Sequence, residues 1–472
     1  MNAFEVRLDT RVLTKNVSIG QWIEFLQRQR WFAGKGRPIE TVRPVACCPV
    51  DSALSVAVLH VEHGPDETDL YLAPLLVGTG EQSGAIAQFG GRPLLDALAF
   101  EEGWRRLLEA FGRSEHVGPD LVLRTELVGA LPRGGEFRIG TSDQTNSWAL
   151  VGGFFVKVFR RFQPGENLDV EVARFLTRLG STRTPTHRGS LGLRGAFGDT
   201  TLLSLQEAVP NRGTAWDLAC SQVLDAVCKR KVDHGVWTRL GTVVADLHRA
   251  LATDHPDAPG TQPLHPPDLD VVSRGALGLA REMLAELSTT ALPPAAAGLA
   301  QVLKHRSPAL LKRIRAPKVP AGSCHRQRIH GDIHLGQVLW DGADLTVIDF
   351  EGEPGRPVEE RRRKHPPAKD LAGMLRSFDY AARAGLPPGS GRPGEELARD
   401  WRNEARKAFR TAYEAGVGGA PFLPDDPDLR GDLVDLFEVE KAFYELRYEL
   451  RHRPDWVEIP MAGLLDLVGR PG

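Results

Sequence analysis

Cysteine is scarce in this 472-residue chain: there are five, Cys47, Cys48, Cys220, Cys228 and Cys324, and none has C-x-x-C spacing. An odd count without that spacing argues against a disulfide framework or a cysteine zinc site, and a reducing cytoplasm is the simplest setting. Long apolar runs are missing. No stretch approaches the roughly 18–20 residues needed to span a membrane. Met1 to Lys15 interleaves Glu5, Arg7, Asp9, Arg11 and Lys15 with apolar residues, unlike a signal peptide. Excess charge is absent as well. A net charge of −2 gives no reason to expect nucleic acid or an anionic membrane as partner. Neither G-x-S-x-G nor a Walker A loop occurs, and no internal repeat is visible.

What is present fits a globular protein of more than one lobe, with 42% hydrophobic and 25% charged residues. Three parts are expected. Residues 1–90 read as short strands and turns, with Leu54–Val61 and Leu70–Ala73 strand-like around the turn at 62–66. Residues 91–210 begin with a helical stretch, Pro93 to Phe111, and become strand-rich. Residues 211–472 carry helical periodicity, broken by Pro/Gly-rich surface loops.

Two apolar runs, Trp148–Val151 and Phe154–Phe159, flank Gly152-Gly153 and predict a β-hairpin. Lys157 then shares a face with Phe155 and Phe159, which is costly without a partner or ligand. Glu171, 14 residues on, edges the helical stripe Leu168, Val172, Phe175, Leu176 and Leu179. A strand lysine paired with a helix glutamate is how protein kinases hold ATP phosphates. A plain salt bridge would look the same. Before the hairpin, the stretch 140–147 has one glycine and no G-x-G-x-x-G pattern. Gln144, Thr145, Asn146 and Ser147 could still turn backbone N–H groups toward phosphate. The strand 202–209 leads out of this part, and Glu207 and Val209 are candidates to hold adenine through their backbone.

The strongest pattern lies further on. His330 stands two residues before Asp332, Gln337 five after it, and Asp349 17 after it, at the end of the apolar strand 345–348. Val338–Trp340 and the turn Asp341-Gly342 make a short hairpin between them. This is the layout of a kinase catalytic loop and metal-binding strand. Phosphoryl transfer to a hydroxyl needs a carboxylate to orient it and take its proton, and Asp332 suits that task. Magnesium takes hard oxygen ligands, so Asp349 and the Gln337 amide suit the ion.

Other features carry less. His248 reads as a packed, hydrogen-bonded histidine, Asp370 as a helix N-cap, and Arg361–Lys364 as a solvated loop. Tyr444 and Tyr448 share a helix face near Glu445 and Arg447. They are either core residues or a sugar platform.

The chain resembles bacterial maltokinases, relatives of aminoglycoside phosphotransferases. The likeness runs through Trp31–Arg37, Asp143–Asn146, Lys157–Arg161, His330–Gln337, Asp349–Pro354, Asp370–Tyr380 and Tyr444 onward. It implies an α+β, bilobal, protein-kinase-like fold with an N-terminal strand-rich cap and a mainly helical C-lobe. It implies phosphorylation of the anomeric hydroxyl of maltose by ATP and Mg2+, giving maltose 1-phosphate for α-glucan synthesis from trehalose, with a functional link to trehalose synthase. Asp332 is then the base, Gln337 and Asp349 the magnesium ligands and Lys157 the phosphate lysine. His334, Glu351, Tyr444, Arg447 and Tyr448 are the substrate candidates. A monomer is expected. The loop after Asn146 is about one residue shorter than the family's usual one. Two alternatives stay open: a kinase of glucosamine or an aminoglycoside, for which Glu351, Glu353, Glu445 and Glu449 could supply an acidic pocket, and a non-catalytic kinase-like protein.

Overall fold

The computed structural model describes residues 8–79, 84–131, 134–141, 145–315, 317–320 and 322–469. They form two compact units, Met1–Thr177 with Pro185–Ala208, and Arg178–Thr184 with Val209–Gly472.

The first unit opens with helices Thr10–Asn16 and Ile19–Arg28. The second starts on a reciprocal cap between Ser18 and Gln21 and buries Trp22, Phe25 and Leu26. An antiparallel sheet follows, in the order Thr41–Pro49, Leu54–Gly64, Glu67–Val77, Arg92–Asp96, Ala87–Phe89. The strand Leu54–Gly64 is apolar on both faces because each face has its own core. Ala57, Leu59 and Val61 pack with the helices, while Val56 and Val58 join the core of a second sheet. That sheet is ordered Glu115–Val117, Leu121–Leu127, His187–Gly195, Gly198–Glu207, Phe154–Val158, Ser147–Val151, Phe137–Ile139.

One expected helix begins later than its sequence suggests. Arg92–Asp96 is a strand of the first sheet, and the helix is Glu101–Glu109. The N–H of Gly78 donates to the Pro93 carbonyl, and the Asp96 side chain caps the turn that follows. Both interactions hold 92–96 extended despite its helix-like composition.

The Trp31-Phe32 segment packs with the helices on one face of the first sheet. Trp31 lies against Phe25 and Tyr71, with the Arg160 guanidinium 4.5 Å from its ring centre. Arg160 is 1% exposed, pairs with Asp96 at 2.8 Å and donates through Nε to Ser147 Oγ at 2.8 Å. Removing one partner of such a pair strands the other's charge. Arg160→Met is expected to cost about 3 kcal/mol in chemical denaturation. A loss under about 0.5 kcal/mol would mean that solvent reaches this ion pair freely.

The second unit is mainly helical. Helix Ala215–Val227 lies against strand Val338–Trp340 and helix Gly235–Leu251 against its hairpin partner Leu345–Val347, while Gly391–Gly416 packs on Gly235–Leu251 and Pro427–His452 on Ala368–Ala384. Helices Pro266–Glu286, Pro294–Arg313 and Glu458–Gly469 share a core with Pro427–His452. Among the described residues, no helix is long and apolar enough to cross a membrane.

Candidate active site

The lysine hairpin forms as its glycines require. Ser147–Val151 pairs with Phe154–Val158 across Gly152 and Gly153, at φ 55° and 84°. Lys157 is buried, with Nζ 5.5 Å from the centre of the Phe159 ring and 3.7 Å from Asp169 Oδ2. Asp169 and Glu171 both stand in the first turn of helix Leu168–Arg178, and Asp169 is the deeper of the two. The carboxylate seen beside Lys157 is thus that of Asp169, two residues before the expected Glu171 and not singled out by periodicity.

Gln144 lies outside the described residues. Thr145 and Asn146 bend into the strand that starts at Ser147. Glu207 ends its strand with its carboxylate on Arg188, a contact that draws it below the usual carboxylate range. The Val209 carbonyl accepts from the Asn211 side chain at 2.9 Å.

In the second unit, the segment around Asp332 is gripped by a buried carboxylate. Asp370, the third residue of helix Ala368–Ala384, accepts from the His330 N–H at 2.8 Å and the Gly331 N–H at 2.9 Å. Its Oδ2 also lies 3.1 Å from His248 Nε2, and His248 Nδ1 lies 2.9 Å from the Tyr413 hydroxyl. The N-cap reading of Asp370 is thus corrected: it serves a loop 40 residues earlier in the chain. Burial pushes the Asp370 carboxyl up, but His248, His330 and the Gly331 amide outweigh it and hold the carboxyl below its ordinary value. His248 is the packed histidine its sequence suggests. Gly373 lets the same helix approach the loop, because a Cβ there would sit 2.9 Å from the Ile333 carbonyl oxygen.

The His330 ring ties this loop to the next. It lies 2.9 Å from the Ile348 carbonyl through Nε2 and packs on Phe350. Asp349 follows at φ 68°, a left-handed conformation that costs a non-glycine residue about 1 kcal/mol and that clusters at functional sites. Gln337 donates to Asp349 Oδ2 at 3.1 Å, and the Ile348 N–H donates to the Gln337 carbonyl at 3.0 Å. A carboxylate and an amide side by side form a hard-oxygen donor set. Two protein ligands suit magnesium, which keeps water and phosphate oxygens as its others. Among the described residues, no cluster of three or more His, Cys, Asp or Glu could hold a metal by itself.

His334 Nδ1 accepts from the Gly336 N–H at 3.1 Å, capping the turn Leu335–Gln337 that presents Gln337. Burial, with Lys441 and His330, lowers its pKa against the pull of Asp332 and Asp349, so the ring is neutral at pH 7. Arg361 is corrected too. Instead of facing solvent in a basic run, it donates to the Glu351 carbonyl at 2.7 Å and packs where a Gly352 Cβ would be.

The residue that sequence reasoning left without a role is Lys441. Its Nζ lies 3.1 Å from Asp332 Oδ1 and also bonds Glu353, which is 2% exposed. Arg356 holds the second oxygen of Glu353 and also reaches Glu440 and Glu360. Lys441, Arg356 and Lys369 outweigh the burial of Glu353 and bring its pKa down to about 2. Tyr444 joins this group, its ring centre 5.2 Å from Lys441 Nζ and 5.4 Å from both Arg356 and Arg447. Tyr448 is exposed and packs against His452 and Arg453. Glu445 pairs with Arg376, and Glu449 with Arg453. The signal for Lys441 was its place three residues before Tyr444 on the same helix face.

Fold and site together define a phosphotransferase of the kinase-like class. Residues 25–99 match the maltokinase N-terminal cap domain, and residues 221–421, which include Asp332 and Asp349, match the phosphotransferase enzyme family. In these two stretches the chain is similar to maltokinases and to the phosphotransferase enzyme family. It is 29% identical over 395 residues to a glucosamine kinase of Streptacidiphilus jiangxiensis, covering 78% of this chain and 83% of that one. A glucosamine kinase of Mycolicibacterium smegmatis is 28% identical over 337 residues, covering 69% and 77%. The fold matches a solved glucosamine kinase in complex with glucosamine, ADP and inorganic phosphate, with TM-score 0.70 and 23% identity over 94% of this chain and 99% of that one.

Proposed function

We propose that this protein transfers the γ-phosphoryl group of ATP to the anomeric hydroxyl of maltose, giving maltose 1-phosphate and ADP. The observation that carries the sugar assignment is the maltokinase-type cap over residues 25–99. The grouping of Asp332, Gln337 and Asp349 supports the chemistry.

In this reading Asp332 orients the acceptor hydroxyl and takes its proton as the oxygen bonds to the γ-phosphorus. The bond from that phosphorus to the β,γ-bridging oxygen breaks, and ADP leaves with the electron pair. Asp349 and Gln337 would hold magnesium, which would supply neutralisation of phosphate charge. Lys157, kept in place by Asp169, binds nucleotide phosphate. Glu171, residues 144–147 and the backbone at Glu207 and Val209 belong to the nucleotide side. His334, Tyr444 and Arg447 line the acceptor side, with Glu351 and Tyr448 at its margin. Residues 1–90, 91–210 and 211–472 serve as cap, ATP-side lobe and catalytic lobe. The enzyme works as a cytoplasmic monomer, and its product feeds α-glucan and glycogen synthesis from trehalose, in functional connection with trehalose synthase.

A glucosamine kinase is the second reading, favoured by the names of the two curated relatives. ADP release with Mg-ATP against maltose, glucose, glucosamine, trehalose and kanamycin separates them. Maltose is expected to give the highest kcat/KM. Turnover with glucosamine and none with maltose would replace the proposal by the second reading.

A further inference from the structure

The carboxylates around Asp332 are already matched with cations. The recess beside it is lined by Gly331, Asp332, Glu353, Lys369, Glu440 and Lys441. Lys441 touches Asp332 and Glu353, and Arg356 touches Glu353 and Glu440. Asp332, Glu353 and Glu440 thus each touch Lys441 or Arg356. Asp370, the remaining acid of the recess, is committed to two backbone N–H groups and His248. An acceptor brought up to Asp332 meets the Lys441 ammonium beside it, and an ammonium-bearing acceptor finds the carboxylates lining this small recess already partnered.

We propose that Lys441 is a specificity-determining residue: by pairing with Asp332 and Glu353 it takes up the carboxylates that an ammonium group would need and selects uncharged sugars over amino sugars. This rests on Asp332 being the acceptor-side base. It does not depend on the acceptor being maltose. Like charges held close in a partly desolvated site discriminate strongly, while neutral hydroxyls feel little of that field. Lys441 also donates to the base itself, so its loss lowers turnover on every acceptor. The ratio between acceptors, rather than the rate, reports on selectivity.

Glucose and glucosamine are a near-isosteric pair that differ by one hydroxyl against one ammonium, and they form the direct test. For the wild-type protein, kcat/KM in ADP release, and affinity by titration calorimetry in the presence of Mg-ADP, should favour glucose by about tenfold or more. Lys441→Met should lower that ratio at least about tenfold, and Lys441→Arg, which keeps the charge, should retain it. A purely structural role would lower both acceptors equally and leave the ratio unmoved, which would overturn the proposal. Equal or tighter use of glucosamine by the wild type, or binding of neither sugar, would overturn it without any variant. If glucose is preferred to glucosamine while maltose is not phosphorylated, the maltose assignment fails and the role of Lys441 stands.

Discussion

Asp332→Asn should lose about 10³-fold in kcat while binding Mg-ATP as the wild type does. The amide keeps the shape of the carboxylate and can still accept from Lys441 through its oxygen, so folding should survive. What it lacks is a site basic enough to take the acceptor's proton. Turnover and calorimetric ATP affinity, measured on one preparation, separate the two effects. The 3.1 Å contact from Lys441 gives a further expectation. With the negative charge removed, the Lys441 ammonium loses one of its two carboxylate partners and keeps Glu353, so the melting temperature should change little. A variant with wild-type turnover would remove Asp332 from the base role.

Asp370→Ala should be the most damaging single change in the second unit. The carboxylate satisfies two buried backbone donors and His248, and each orphaned group costs about 1–3 kcal/mol. A loss of about 3–5 kcal/mol is expected, enough to unfold much of the protein at 37 °C if its stability is ordinary. Asp370→Asn keeps one acceptor oxygen and should lose less stability, yet should still lower kcat, because the backbone on either side of Gly331 is no longer held at both points. The sign of the pH dependence follows from the direction of the shift. Asp370 titrates below its unfolded value, so its contribution is present above that value, about 3.9, and is lost as pH falls through the folded one. Glu353, brought down to about 2, acts in the same direction. Urea unfolding of the wild type at pH 7 and pH 3 should show the loss, and Asp370→Ala should show a smaller one. Equal pH dependence in the two proteins would contradict this account of Asp370.

The parts legible in the sequence were those whose partners lie nearby in the chain. Gly152-Gly153 specifies its hairpin because a tight turn needs positive φ and only two residues separate the strands. Asp332, Gln337 and Asp349 announce themselves by order and spacing because the hairpin between them is short. The remainder depends on contacts between distant segments. Asp370 sits at a helix start, where an aspartate ordinarily caps its own helix, and nothing local shows that its partners are His330 and Gly331. Lys441 is 109 residues from Asp332 and lies in a stretch rich in Glu and Arg that reads equally well as a charged surface. Asp169 fell outside the apolar stripe used to choose Glu171. The Arg92–Asp96 segment has helix-compatible residues, and pairing with Glu67–Val77 overrides them. Each miss is a tertiary contact that no window of ten or so residues contains.

The most direct test of the whole account is the product itself. After incubation of the wild-type protein with Mg-ATP and maltose, phosphorus NMR should show the γ-phosphate signal of ATP replaced by a phosphate ester coupled to the anomeric proton of the reducing glucose, with ADP formed in equal amount. An ester at any other position, or ADP formed without a sugar phosphate, would contradict it.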